Sequence, residues 1–110
     1  MIIPGEESGT LGAAEAVVGA SVEGANNILF QITGTWVGTI TFEASADNTN
    51  WFVTAVKNTS ETTATTLVTT RTSNGISQVY IGGIPYVRAR MSAYTSGEAN
   101  IIIHADRIAK

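Results

Sequence analysis

Cysteine is absent from the 110 residues of this chain, which excludes disulfides, thiolate catalysis and thiolate-bound metals. Histidine occurs once, as His104, and no stretch of apolar residues approaches the ~20 that a membrane span needs. The N-terminus has neither the basic region nor the continuous apolar region of a signal peptide. With 44% hydrophobic and 14% charged residues, we expect one soluble, folded domain with no membrane partner.

Basic residues are scarce, and none lies in residues 1–24, which contain four of the nine acidic residues. The net charge of −3 therefore combines an acidic N-terminal segment with a nearly neutral remainder. Binding to nucleic acid needs a basic patch that faces the phosphates. We therefore expect no nucleic-acid partner.

Residues 35–56 contain the clearest pattern in the chain. Ile40, Phe42 and Ala44 alternate with Thr39, Thr41 and Glu43, as in a strand with one buried face. The short polar residues 47–50 (DNTN) favour a tight turn, and a second strand begins at Trp51. This predicts a β-hairpin. The second strand is apolar on both faces, which is typical of a central strand or of one covered by a partner.

Several other short segments alternate in the same way and are separated by turn signals at intervals of about 8–12 residues. Gly34, Asn74-Gly75 and residues 95–98 are the turns that separate them. The predicted strands cover residues 27–33, 35–46, 51–56, 65–72, 76–81, 86–94 and 99–106. We expect an all-β protein, an antiparallel two-sheet β-sandwich of jelly-roll type with seven or eight short strands.

The N-terminal residues 1–24 are predicted to form an extended arm, followed by a sandwich domain over residues 25–110. A frayed terminus is the alternative to an arm that docks on a neighbouring subunit. The docking arm is supported by apolar side chains that are unusual in a free tail. These are Ile2, Ile3, Leu11, Val17 and Val18.

No catalytic or metal-binding group emerges from the sequence. No motif places a nucleophile and an orienting acid beside His104, as a catalytic triad would require. Glu43 and Asp47 resemble the paired carboxylates of glycosidases, but Asp47 sits in a turn-capping position and Glu43 is on the outward row. Asp47, Asn48 and Asn50 do not have the spacing of an EF-hand calcium loop. We expect no enzyme activity, no cofactor and no metal site.

The strand at residues 86–94 carries a second candidate surface. Tyr86, Arg88, Arg90 and Tyr94 are predicted on its outward row, and tyrosine and arginine are enriched in interface hot spots. One interpretation is a solvated face whose arginines pair with Glu43 or Asp106 on neighbouring strands. The others are a protein interface, or a stacking platform for sugar or nucleic acid that would need exposed tryptophans.

Three motifs resemble the small β-sandwich structural proteins of tailed bacteriophages. They are residues 31–40 (QITGTWVGTI), residues 42–51 (FEASADNTNW), and residues 86–90 (YVRAR) followed by 93–97 (AYTSG). The resemblance covers residues 28–105 and leaves the N-terminal segment outside. The motifs are specific for this type of domain. They do not specify the role of the domain, because such sandwiches occur in head decoration, tail and fibre proteins.

The resemblance implies a non-enzymatic virion component. A chain consisting of one domain and an arm fits a capsid decoration, or cement, protein on the head surface, which in this family is commonly a homotrimer. The expected partners are the major capsid protein or another virion protein. A tail, baseplate or fibre component is the first alternative, and a carbohydrate-binding module that uses exposed aromatic residues is a second.

Overall fold

The fold is a single antiparallel sheet of eight strands. The computed structural model describes residues 2–25, 27–58, 67–79 and 84–108, and no helix occurs among them. The strands are β1 (Ile2–Leu11), β2 (Val17–Ser21), β3 (Asn27–Ser45), β4 (Phe52–Val53), β5 (Lys57–Asn58), β6 (Thr70–Arg71), β7 (Gly75–Val79) and β8 (Tyr86–Ile108). Their order is β1-β8-β3-β7-β5, with β2 also on β8, and β4 and β6 also on β3. The all-β prediction is confirmed, whereas two separate sheets are not found.

Two long strands, β3 and β8, form the centre of the sheet. They have 19 and 23 residues and pair from Asn27–Asp106 at one end to Ser45–Tyr86 at the other. The predicted chain reversals at Gly34 and at residues 95–98 are therefore wrong, because both segments continue as strand. Four of the predicted short strands are in fact two strands that each cross the whole molecule.

The sheet is folded so that its two halves face each other. The rings of Phe30 and Phe42 have centroids 4.8 Å apart, although both belong to β3. Twelve residues of straight strand would separate them by about 40 Å. The strands β1 and β2, which pair with opposite ends of β8, also approach each other: a Cβ built on Gly9 of β1 would lie 2.9 Å from a methyl group of Val18 in β2. The core lies between these halves.

The bend is made where β3 and β8 each contain a glycine with positive φ, two residue pairs apart along the ladder. Gly34 (φ 104°) pairs with Ala99, and Gly97 (φ 82°) pairs with Trp36. A Cβ on Gly97 would lie 2.1 Å from the carbonyl oxygen of Thr35, so only glycine fits there. The sequence signal for a turn was therefore real, but it bends two paired strands together.

Two extra residues in β8 complete the bend. The register with β3 shifts after Val37 and again after Thr39, which leaves Thr95 and Ser92 as bulge residues. Each bulge reverses which side chains of the strand face the core, and the second bulge restores the original alternation. Between the bulges the faces are exchanged: Ala93 is exposed and Tyr94 packs against the core, the reverse of the prediction.

On both sides of the bend the predicted alternation is confirmed. Ile40 and Phe42 of β3 are fully buried, as are the inward residues of β8 in both halves. The largest fully buried side chains are Leu11, Val22, Ile28, Phe30, Ile32, Ile40, Phe42, Val56, Val79, Met91, Ile101 and Ile103. Trp36 is only partly buried, at the margin of the core.

Short connecting segments carry the chain past the bend between β1 and β2 and between β6 and β7. β1 ends opposite Ala99, and β2 begins opposite Arg90, with only residues 12–16 between them. On the other side β6 and β7 both pair with β3, and residues 72–74 join them. The Asn74-Gly75 turn is therefore a corner rather than the predicted hairpin, since β6 and β7 do not pair with each other.

The N-terminal segment is part of the sheet rather than a projecting arm. Residues 2–11 pair with residues 99–108 of β8, and residues 17–21 pair with its residues 86–90. Leu11 is fully buried and Val18 is 8% exposed, both within their own chain. Their apolar character is therefore explained by the core, and these two side chains are not available to a neighbour.

Candidate functional site

A cluster of four charged residues lies on the outer face of one half of the sheet. Glu43 bridges two arginines, with 2.6 Å from Oε1 to Nε of Arg88 and 3.1 Å from Oε2 to Nε of Arg90. Arg90 also donates from Nη1 to both carboxylate oxygens of Glu15, at 3.2 and 2.8 Å. The two positive and two negative formal charges are therefore matched within the cluster.

Strand register explains why these residues meet. Glu43 of β3 lies directly across from Arg88 of β8, which in turn lies across from Gly19 of β2. Glu15 reaches the cluster from the corner between β1 and β2, where its backbone N–H bonds the carbonyl of Met91. The predicted pairing of the arginines with Glu43 is confirmed. The side chain of Asp106, the other predicted partner, lies outside the described residues.

Burial distinguishes this cluster from an ordinary surface ion pair. Glu43 was predicted on the outward row, yet it is only 6% exposed, because the two arginines that it bonds cover it. The hydrogen bond to Glu15 raises the pKa of Arg90 above its ordinary value. Partial burial opposes this increase in pKa, and the interaction with Glu43 adds to it. Charges satisfied in this way hold the four side chains in position.

Trp51 completes the cluster from the turn before β4. The Cζ atom of Arg88 lies 4.3 Å from the centroid of its ring, which is a cation–π contact. Trp51 is partly buried but does not belong to the core. It therefore covers Arg88 on the outer face of the sheet.

The turn at residues 45–50 is held by Asp47. Its carboxylate accepts hydrogen bonds from the backbone N–H groups of Thr49 and Asn50, from the Asn50 amide and from the Ser45 hydroxyl. The hydrogen bonds that Asp47 accepts lower its pKa well below the usual range. Those from Asn50 and Thr49 have the largest effect, and that from Ser45 has a smaller one. Its oxygens are occupied by N–H and O–H donors, which argues against a calcium ligand.

No group of three or more His, Asp or Glu side chains suited to a metal ion occurs among the described residues. His104 is partly buried on β8, directly across from Glu6 of β1 and Leu29 of β3. In the part of the chain that the structure describes, no helix is long and apolar enough to cross a bilayer.

The predicted interface residues do not form one surface. Tyr86, Arg88 and Arg90 share the outer face of β8, whereas Tyr94 turns to the core side and donates its hydroxyl to the carbonyl of Gly97. Val17 is 47% exposed on β2 and remains accessible. The side chains of Ile2 and Ile3 lie outside the described residues.

Sequence reasoning did not assign the exposed apolar side chains of β4 to the interface. Phe52 and Val53 are 71% and 55% exposed and point to opposite faces of β4. Phe52 lies at the rim of an apolar cavity of about 460 Å³ that also includes Ala44, Ile84 and Pro85. The signal was present in the sequence, as a strand that is apolar on both faces.

A second cavity, of about 400 Å³, lies beside the charge cluster. Gly19 and Val17 of β2 border it on one side, and Tyr86 and Arg88 of β8 border it on the other. Asn48 and Trp51 contribute from the turn. It combines aromatic surface with polar groups, unlike the apolar cavity at Phe52.

Fold and site together define an all-β protein in which one antiparallel sheet folds over itself and carries a neutral charge cluster on its outer face. Among solved structures, the chain is similar to the crystal structure of the SPBc2 prophage-derived protein YomS. The TM-score is 0.74 at 16% identity, over 94% of this chain and 95% of that one. At this identity the likeness concerns the fold. No protein-family model and no curated protein matches the chain.

Proposed function

We propose that the chain is a non-enzymatic virion structural protein of a tailed bacteriophage that decorates the capsid surface as a homotrimer. The observation that carries the proposal is the fold shared with the prophage-derived protein YomS along nearly the whole of both chains. The motifs at residues 42–51 and 86–97 support the same class of protein independently. The name of this fold neighbour refers to a prophage.

The exposed apolar strand β4 is the surface best suited to a virion partner. Phe52 and Val53 project from opposite faces of a two-residue strand, and Ala44, Ile84 and Pro85 extend the apolar area beside Phe52. Complete burial of a phenylalanine or valine side chain contributes roughly 1.5–3 kcal/mol each. Repeated in each copy of a trimer, such contacts would hold the protein on a surface of capsid subunits.

The charged groups support a structural rather than a catalytic role. Glu15, Glu43, Arg88 and Arg90 are bonded to one another, and Asp47 is bonded within its turn. Side chains held in this way maintain a rigid surface. A decoration protein needs such rigidity in order to present the same contacts to several neighbours.

Binding to particles tests the proposal directly. Phage particles assembled without this chain are mixed with the purified protein and sedimented, and the bound protein is located by immunogold electron microscopy. We expect saturable binding and label over the head. Label confined to the tail would instead assign the chain to the tail, baseplate or fibre. Absence of label from every part of the particle would contradict a virion role.

Two variants distinguish specific binding through β4 from non-specific adsorption to the particle. Phe52→Ser combined with Val53→Ser should leave the fold intact and reduce particle binding. Val37→Ser is the matched control, because Val37 is 57% exposed on β3, away from β4. Equal binding by both variants would remove β4 from the interface.

The trimer is tested by mass. Light scattering of the purified protein should give three times the 11.5 kDa of one chain. A mass of 11.5 kDa at micromolar concentration would contradict a trimer that forms before the protein reaches the particle. The β4 variant then shows whether the same surface joins the copies.

A further inference from the structure

Gly19, which has no side chain, borders the cavity beside the charge cluster. Gly19 lies on the outer face of β2 directly across from Arg88, and a Cβ at this position would lie 3.2 Å from the Cβ of Arg88. The space above it is bordered by Tyr86 and Trp51 and measures about 400 Å³. This volume falls within the range of about 300–1,000 Å³ that is typical of small-molecule sites.

Several polar groups around this cavity have no partner within the described part of the chain. The Nε atom of Arg88 bonds Glu43, whereas neither of its Nη atoms has an acceptor among the described residues. The same is true of the Tyr86 hydroxyl, the Asn48 side-chain amide and the Trp51 indole N–H. They offer both donors and acceptors, since a hydroxyl and an amide can each do both.

The guanidinium of Arg88 is held in a fixed orientation. Glu43, 6% exposed, bonds its Nε at 2.6 Å, and Trp51 lies against its Cζ at 4.3 Å. A group that is already ordered loses little conformational entropy when a ligand binds to its remaining N–H groups. The cavity therefore has a preorganised donor as well as an aromatic wall.

Charge balance indicates which ligands suit the cavity. Arg88 and Arg90 are matched by Glu43 and Glu15, so the cluster offers no excess positive charge to an anion. Neutral hydroxyl groups can bond guanidinium, amide and phenol groups without needing a counter-charge. Their carbon-bound hydrogens can also pack on an aromatic ring, whereas a fully apolar ligand would leave the polar groups unbonded.

We propose that the cavity formed by Gly19, Asn48, Trp51, Tyr86 and Arg88 binds a neutral sugar unit of a glycan. The hydroxyl groups of the sugar accept from Arg88 Nη and exchange hydrogen bonds with Tyr86 and Asn48. The sugar ring packs beside Trp51. This site is distinct from the apolar cavity at Phe52, because neither Phe52 nor Val53 borders it.

The experiment begins with a screen of the wild-type protein on a glycan array, followed by saturation-transfer NMR with neutral and acidic monosaccharides at millimolar concentration. We expect saturable binding of neutral glycans and transfer to the ring protons of neutral sugars. No signal in either measurement would overturn the proposal. Selective binding of acidic sugars would overturn the assignment to a neutral ligand.

Variants then locate the site. Tyr86→Phe retains the ring and removes one hydroxyl, so it should weaken affinity by about three- to tenfold. Tyr94→Phe is the matched control, because its hydroxyl bonds Gly97 instead, and it should bind like the wild type. Trp51→Ala should abolish binding. Unchanged thermal unfolding of Tyr86→Phe establishes that its fold is intact, and equal affinities of the two tyrosine variants would place the ligand elsewhere.

Discussion

The indole N–H of Trp36 donates a 2.7 Å hydrogen bond to the side-chain oxygen of Asn74. The amide nitrogen of Asn74 donates in turn to the carbonyl of Gly34 at 2.9 Å. One side chain in the corner between β6 and β7 thus joins two points of β3 within its bend. Residues 72–74 are thereby fixed to the strand that they cross.

Removal of this link should destabilise the protein measurably. Asn74→Ala loses both hydrogen bonds, and at a net contribution of roughly 0.5–1.5 kcal/mol for each we expect a loss of about 1–3 kcal/mol in urea unfolding. Trp36→Phe removes one of the same bonds. In a double-mutant cycle the two changes should be non-additive, and full additivity would show that the bond does not contribute.

Gly97 should be the least replaceable residue of the bend. Gly97→Ala places a Cβ 2.1 Å from a backbone oxygen at a φ of 82°, so we expect a loss of more than about 2 kcal/mol. Gly12→Ala is the control, because its new Cβ meets only the flexible side chain of Glu98, at 3.1 Å. Thermal unfolding of the two variants measures the difference. A similar small effect in both would mean that the bend tolerates side chains.

Glu43 should contribute more to stability than Glu15. Glu43→Gln removes the charge between two partly buried arginines, and we expect a loss of roughly 2–4 kcal/mol, near the range for breaking buried pairs. Glu15→Gln affects a side chain that is 65% exposed, and we expect less than about 1 kcal/mol. Urea unfolding at neutral pH and low salt compares the two. A larger loss for Glu15→Gln would contradict the role of burial.

Asp47 should make the protein sensitive to acid. Its pKa is lower in the folded protein than in the unfolded chain, so its stabilising contribution is complete above the ordinary value of 3.8. The contribution is lost as the pH falls below that value, because the unfolded chain then takes up the proton first. Thermal unfolding between pH 6 and pH 2 should therefore show a smaller decrease in Tm for Asp47→Asn than for the wild type. Parallel curves would show that Asp47 does not contribute to the acid response.

Local alternation predicted which residues of each segment face inward. Ile40 and Phe42 were placed correctly, because burial on one face imposes a period of two on neighbouring residues. The same information cannot distinguish a reversal from a bend. Gly34 and Gly97 have positive φ in either case, and the outcome depends on the residues across the ladder.

The candidate site was predicted in part for a related reason. The pairing of Arg88 with Glu43 follows from two outward rows on neighbouring strands, and it was one of the alternatives considered. The position of Tyr94 was wrong, because two bulges exchange the faces of β8 between Ser92 and Thr95. A bulge leaves no simple mark in the sequence, since any residue can be the extra one.

The ladder between β1 and β8 also affects the timing of folding. It pairs Ile2 with Ile108 and Leu11 with Ala99, so its contacts join residues 88 to 106 positions apart. During synthesis β1 emerges from the ribosome before β8 and must wait for it. Contacts of such long separation are slow to form, and we expect refolding on the scale of milliseconds to seconds. Until β8 is available, the unpaired first strand is a segment that a chaperone or another chain can capture.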